Sequence, residues 1–116
     1  MALGHLAEVV FDCHDPHLLA RFWQEMIGGE LVDQSDIWVA LVPPRGVIIG
    51  FQQVPEGKVA KNRVHLDVQV DDREAAAVAA ERLGATRVGP PSDDPIGPFQ
   101  VMLDPEGNEF CFVVDL

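Results

Sequence analysis

Basic residues are scarce in this chain. Eight lysines and arginines stand against nineteen aspartates and glutamates, a formal charge of −11 over 116 residues. No basic stripe offsets that balance, so phosphate backbones and anionic membrane surfaces are repelled, and nucleic-acid and membrane partners are not expected. Long apolar runs are also missing: none approaches the roughly 20 residues that span a bilayer. The opening Met1-Ala2-Leu3-Gly4-His5 lacks the basic region and apolar stretch of a secretory signal. Cysteine is down to Cys13 and Cys111, too few for a disulfide framework, which points to a reduced, cytoplasmic protein. Both thiols read most simply as small buried hydrophobes.

What is present is a pattern written twice. Residues 8–13 (Glu-Val-Val-Phe-Asp-Cys) read as a strand leading to Asp15-Pro16, an amphipathic stretch and Ile27-Gly28. Residues 65–70 (His-Leu-Asp-Val-Gln-Val) lead to Asp71-Asp72, a second helical stretch and Leu83-Gly84. With Asp15 laid on Asp72, Glu8 falls on His65. Self-similarity on this scale means two copies of one supersecondary unit sharing a single 116-residue domain. Functional sites tend to lie where such halves meet.

Asp15 is a suitable N-cap with Pro16 at the first helical position. Leu18, Leu19, Phe22, Trp23, Met26 and Ile27 then recur at helical spacing until Gly28-Gly29 stops the helix. Strands are expected over 30–33, 37–42 and 47–54, which gives β-α-β-β-β over residues 4–54 or so. Residues 55–63 read as a polar connection. The second copy, about 63–116, has an alanine-rich helix capped by Asp71 or Asp72 and strands near 86–88, 99–103 and 109–114. Residues 89–98 contain four prolines and two glycines, which predicts no regular structure there and either a lid or a plain surface excursion. Residues 104–108 (Asp-Pro-Glu-Gly-Asn) read as a tight turn.

Strand parity sorts the side chains. His65, Asp67 and Gln69 share a face, as do Glu8, Val10 and Asp12, and also Glu109, Cys111 and Val113. The opposite faces are apolar and suit the two helices. Polar groups on central strands are costly unless they meet water, a ligand or one another, so a wet polar cavity is expected on their side. The imidazole of His65 and the carboxylate of Glu109 are expected to project into that hollow.

Arg21-Phe22-Trp23 with Ile27-Gly28, the Lys-Asn-Arg-Val-His-Leu-Asp stretch at 61–67 and the Asp-Pro-Glu-Gly-Asn-Glu-Phe stretch at 104–110 resemble the vicinal-oxygen-chelate superfamily. More narrowly, the chain resembles its small glyoxalase-like domain proteins. The resemblance implies an α+β fold of two tandem βαβββ modules forming a curved sheet, or half-barrel, around a cleft. It also implies metal ligands at Glu8, His65 and Glu109, with Glu109 as the catalytic candidate. A fourth ligand would lie on the strand at 47–54. The His65-to-Glu109 spacing applied from Glu8 lands on Gln52, with Phe51 the neighbouring candidate. Glu8 stands where the superfamily more usually has histidine or glutamine. The resemblance also implies a homodimer.

One imidazole with two carboxylates suits a divalent ion such as Zn, Ni, Co, Mn or Fe. Asp67, Gln52, Trp38 and Phe51 are the ligand-binding candidates. The simpler alternatives are a hydrogen-bonded His65–Glu109 pair in an empty cleft, and Trp38 and Phe51 as ordinary core. Arg63 would neutralise Asp67 or Glu109, or meet a substrate anion. Two functions stay open: metal-assisted lyase or isomerase chemistry on a small oxygenated molecule, and non-catalytic sequestration of an aromatic or antibiotic-like ligand. The resemblance does not choose between them, because fold does not fix function.

Overall fold

The computed structural model describes residues 2–32, 34–95 and 98–114. The chain divides into two compact units, Met1–Gly57 and Lys58–Leu116. Both follow one plan, a four-stranded sheet with one helix. In the first unit β1 (Glu8–Cys13) is followed by α1 (Pro16–Ile27), β2 (Glu30–Val32), β3 (Trp38–Val42) and β4 (Ile48–Gln53). In the second β5 (Leu66–Gln69) is followed by α2 (Arg73–Arg82), β6 (Thr86–Ser92), β7 (Phe99–Leu103) and β8 (Glu109–Val113). The strand orders match: β1-β4-β3-β2 and β5-β8-β7-β6. The α+β architecture of two βαβββ modules is thus present, and each sheet is open rather than closed into a barrel. Among the described residues no helix is long and apolar enough to cross a membrane.

Both helices start for local reasons. The Asp15 carboxylate accepts from the Leu18 N–H at 3.1 Å and Pro16 opens α1, which satisfies one orphan donor and omits another. Of the two candidates in the second unit, Asp72 is the cap, accepting from the Ala75 N–H at 3.0 Å. After α1 the chain must reverse into β2, and Gly29 does so at φ 104° against β3. A Cβ there would come within 2.2 Å of the Val42 carbonyl oxygen, so no other residue fits.

The first core is aromatic. Trp23 is 1 % exposed and meets Phe11 and Phe22 edge to face, and Phe11 meets Phe51 likewise. Leu18, expected on the buried stripe, is instead 44 % exposed. In the second unit Phe110, Phe112 and Met102 are buried on the side that α2 covers with Ala77 and Ala80. Small alanines let this helix lie close to the sheet.

One expectation is corrected. Residues 89–92, including Pro90 and Pro91, belong to β6 rather than to an irregular loop. β6 is the edge of its sheet, where a residue without an N–H loses no ladder partner on the open side. Its pairing with β7 lapses between Val88 and Ser92. There the buried Gln100 amide reaches the carbonyls of Val88 at 3.4 Å and Gly89 at 3.2 Å. Arg73 donates to Ser92 O at 2.7 Å and to the Asp93 carboxylate at 3.1 Å, so this loop begins anchored. Asp33, at the expected end of β2, and Ile96 and Gly97 of the loop lie outside the described residues.

Candidate functional site

β5 and β8 run parallel, with Leu66 opposite Phe110, Asp67 opposite Cys111 and Gln69 opposite Val113. Alternation sends Phe110 and Phe112 to the helix side and Glu109, Cys111 and Val113 to the other. A cavity of about 450 Å³ opens on that other face. Phe99, Val101, Val113 and Val114 supply apolar wall, and Lys61, His65, Asp67, Asp94, Glu109 and Cys111 supply polar groups. His65 and Glu109 therefore line one hollow.

They are not, however, paired with each other. His65 Nε2 lies 3.4 Å from Asp67 Oδ1, both side chains about half exposed. The Glu109 carboxylate accepts from the Asn62 backbone N–H at 2.8 Å and meets Lys58 Nζ at 3.3 Å. Lys58 also donates to the Ala60 carbonyl. The cation beside Glu109 is Lys58, not Arg63. Burial alone would push the Glu109 carboxyl up; the Asn62 N–H, its own backbone N–H and Lys58 outweigh this and hold it below the usual carboxylate range. The stretch that reads as a mere connection thus supplies two partners for a site carboxylate.

Cys111 sits deeper on the same face. Burial and the neighbouring Asp67 carboxylate push its thiol up, with Lys61 acting the other way. Ligand atoms of His65, Asp67 and Cys111 all lie within 4.8 Å of one another. Asp67 and Cys111 were each placed on the polar face by parity. Their direct pairing was not legible, because parity gives the face and only the ladder register gives the partner.

The first unit carries the remaining sequence candidates. Glu8, Val10 and Asp12 pair with Ile48, Gly50 and Gln52, and Trp38 pairs with Gln52. Gln52 is exposed and Trp38 half-buried on this face. Phe51 points the other way: it is fully buried with its ring 5.6 Å from Phe11. Stepping the β5–β8 register back one residue sets His65 beside Glu109, as Glu8 stands beside Ile48. Ile48, rather than Gln52, therefore holds the place equivalent to Glu109, and it offers no donor atom. Likewise Gly50 holds the place of Cys111. The Trp38 ring lies over it, so close that a Cβ would come within 2.7 Å of the indole.

The fold has many structural neighbours. A glyoxalase/bleomycin resistance protein/dioxygenase family enzyme from Burkholderia phytofirmans PsJN aligns with a TM-score of 0.82 at 23% identity, over 97% of this chain and 100% of that one. The fosfomycin resistance protein FosX from Mesorhizobium loti aligns at 0.76 with 16% identity, over 100% of this chain and 95% of the other. The bleomycin-binding protein from Streptomyces verticillus, solved with copper(II)-bleomycin, aligns at 0.67 with 18% identity over the whole of both chains. At these identities the likeness is one of fold. No curated protein sequence matches the chain. The glyoxalase-like domain matches residues 8–113, nearly the full length, and the chain belongs to the glyoxalase-like domain family.

Proposed function

We propose that this protein binds a small oxygenated molecule in the cavity of its second unit. The observation that carries the reading is the composition of that cavity. Phe99, Val101 and Val113 offer apolar wall to a carbon skeleton, and His65, Asp67 and Glu109 gather at the polar side. A volume of about 450 Å³ falls within the range of small-ligand sites. Structural relatives solved as a bleomycin-binding protein and a fosfomycin resistance protein support a small-molecule ligand.

In the catalytic form of this reading the protein is a lyase or isomerase. A divalent ion, when bound, would supply Lewis-acid stabilisation of negative charge on the ligand's oxygens. The donor chemistry of His65 and its neighbours fits such an ion: an imidazole and a carboxylate oxygen already stand 3.4 Å apart. Of the ligands that the family resemblance implies, His65 and Glu109 line this cavity. Glu109, released from Lys58, would accept or return a proton.

One observation favours the second reading, sequestration without turnover. Glu109 is engaged by Lys58 and the Asn62 N–H, and a carboxylate held in its ionised form is a weaker base. A homodimer and a cytoplasmic setting complete the proposal; analytical ultracentrifugation tests the first and a localisation tag the second.

Metal content of freshly purified protein, together with thermal shifts against small aromatic and hydroxy-carbonyl compounds, tests the main reading. Val101→Trp should abolish ligand-induced stabilisation while leaving the circular dichroism unchanged. A ligand response that survives a filled cavity moves the site elsewhere.

A further inference from the structure

We infer that the second unit holds a thiolate-containing metal site, with His65 Nε2, Asp67 and Cys111 Sγ as its three protein donors. The inference deepens the metal-assisted reading above and rests on it, but assigns different atoms. Glu109, the carboxylate expected beside His65, is taken by Lys58 and Asn62. One step further along the same two strands, register does the gathering. Asp67 and Cys111 are direct cross-strand partners, and His65 precedes Asp67 by two residues on its face.

The distances suit a tetrahedral ion. Bonds of about 2.0–2.3 Å imply donor–donor edges of roughly 3.3–3.7 Å. The His65–Asp67 edge is already 3.4 Å. The remaining edges are at most 4.8 Å, a gap that small side-chain rotations close. Three protein donors leave a fourth position, which faces the cavity bounded by Phe99, Val101 and Val113. That is the arrangement of an ion that still accepts a ligand atom.

The donor set also selects the ion. One sulfur, one imidazole nitrogen and one carboxylate oxygen favour Zn²⁺ over Mg²⁺, Ca²⁺ or Mn²⁺, which prefer all-oxygen surroundings. The symmetry-related place in the first unit is closed to this chemistry, because Gly50 stands for Cys111 and Val10 for Asp67.

Anaerobic titration of the full chain with Co²⁺ is the direct test. The expected result is one Co²⁺ per chain with a near-ultraviolet thiolate-to-cobalt charge-transfer band, displaced by Zn²⁺ and not by Mg²⁺. Cys111→Ser should remove the band and weaken Zn²⁺ binding by at least the roughly 10–100-fold that even an outer hydrogen-bond partner commands; Glu109→Gln should keep the band. In case the serine variant folds poorly, the native protein supplies a second measurement. Cys13 is only 2 % exposed, so alkylation reports on Cys111, and stoichiometric Zn²⁺ should protect it while Mg²⁺ does not. Cobalt bound without a thiolate band, insensitive to Cys111→Ser and lost in Glu109→Gln, would overturn this assignment and put Glu109 in the place of Cys111. If no metal binds, this assignment and the catalytic form fail together. Ligand stabilisation measured in chelator then decides the cavity reading by itself.

Discussion

Asp104 is 3 % exposed, yet its carboxylate is fully employed. It accepts from the backbone N–H groups of Glu106 and Asn108, both at 2.9 Å, and from the Asn108 side-chain amide. The turn at 104–108 is therefore organised from within, and it sets where β8 begins and hence where Glu109 stands. Asp104→Ala would leave these donors unanswered. Urea denaturation should show a loss of about 1–3 kcal/mol, the cost of orphaned buried groups, and Asp104→Asn should recover part of it. Gly50 makes the opposite kind of demand, for absence. A methyl group there collides with the Trp38 indole, and overpacking of that kind costs about 1–3 kcal/mol. Gly50→Ala should lower stability by that amount and shift the tryptophan emission, because one of only two indoles has to move.

At the scale of elements, α2 is fastened to β6 by charge as well as by alanine packing. Arg87 on β6 forms a two-pronged pair with Glu74, at 2.7 and 2.9 Å, and meets Glu81 at 3.1 Å. Hydrogen bonding to Arg87 is the main reason the Glu74 carboxyl titrates below its usual range. A carboxyl depressed by folding adds stability that is present above its unfolded pKa and is lost as pH falls through the folded value. Arg87→Met keeps the aliphatic stem and removes the partner. Its unfolding free energy should therefore fall less steeply than wild type's as pH drops below about 4.3, the ordinary glutamate value; chemical denaturation at a series of pH values measures the two slopes. Elements were also the scale at which the sequence read best. Caps at Asp15 and Asp72, glycine stops and period-two alternation located both helices and most strands, since each of these signals is local. Pro90 and Pro91 misled, because whether proline ends a strand depends on its place in the sheet, and an edge is a tertiary fact. Asp67 opposite Cys111 was hidden for the same reason, and Lys58 on Glu109 because it joins residues far apart in sequence.

Across the whole molecule the two units share a strand order and differ in what they do with their open faces. In the first, an indole rests on the bare backbone of Gly50. In the second, the equivalent position bears a thiol at the edge of a cavity. Duplicated architecture ordinarily suggests two equivalent receptors, but here one copy has supplied its own aromatic occupant. Isothermal titration of this protein with any ligand of the cavity should accordingly saturate at one molecule per chain, not two. Two copies of one plan thus leave one face covered from within at Gly50 and the other open to a guest.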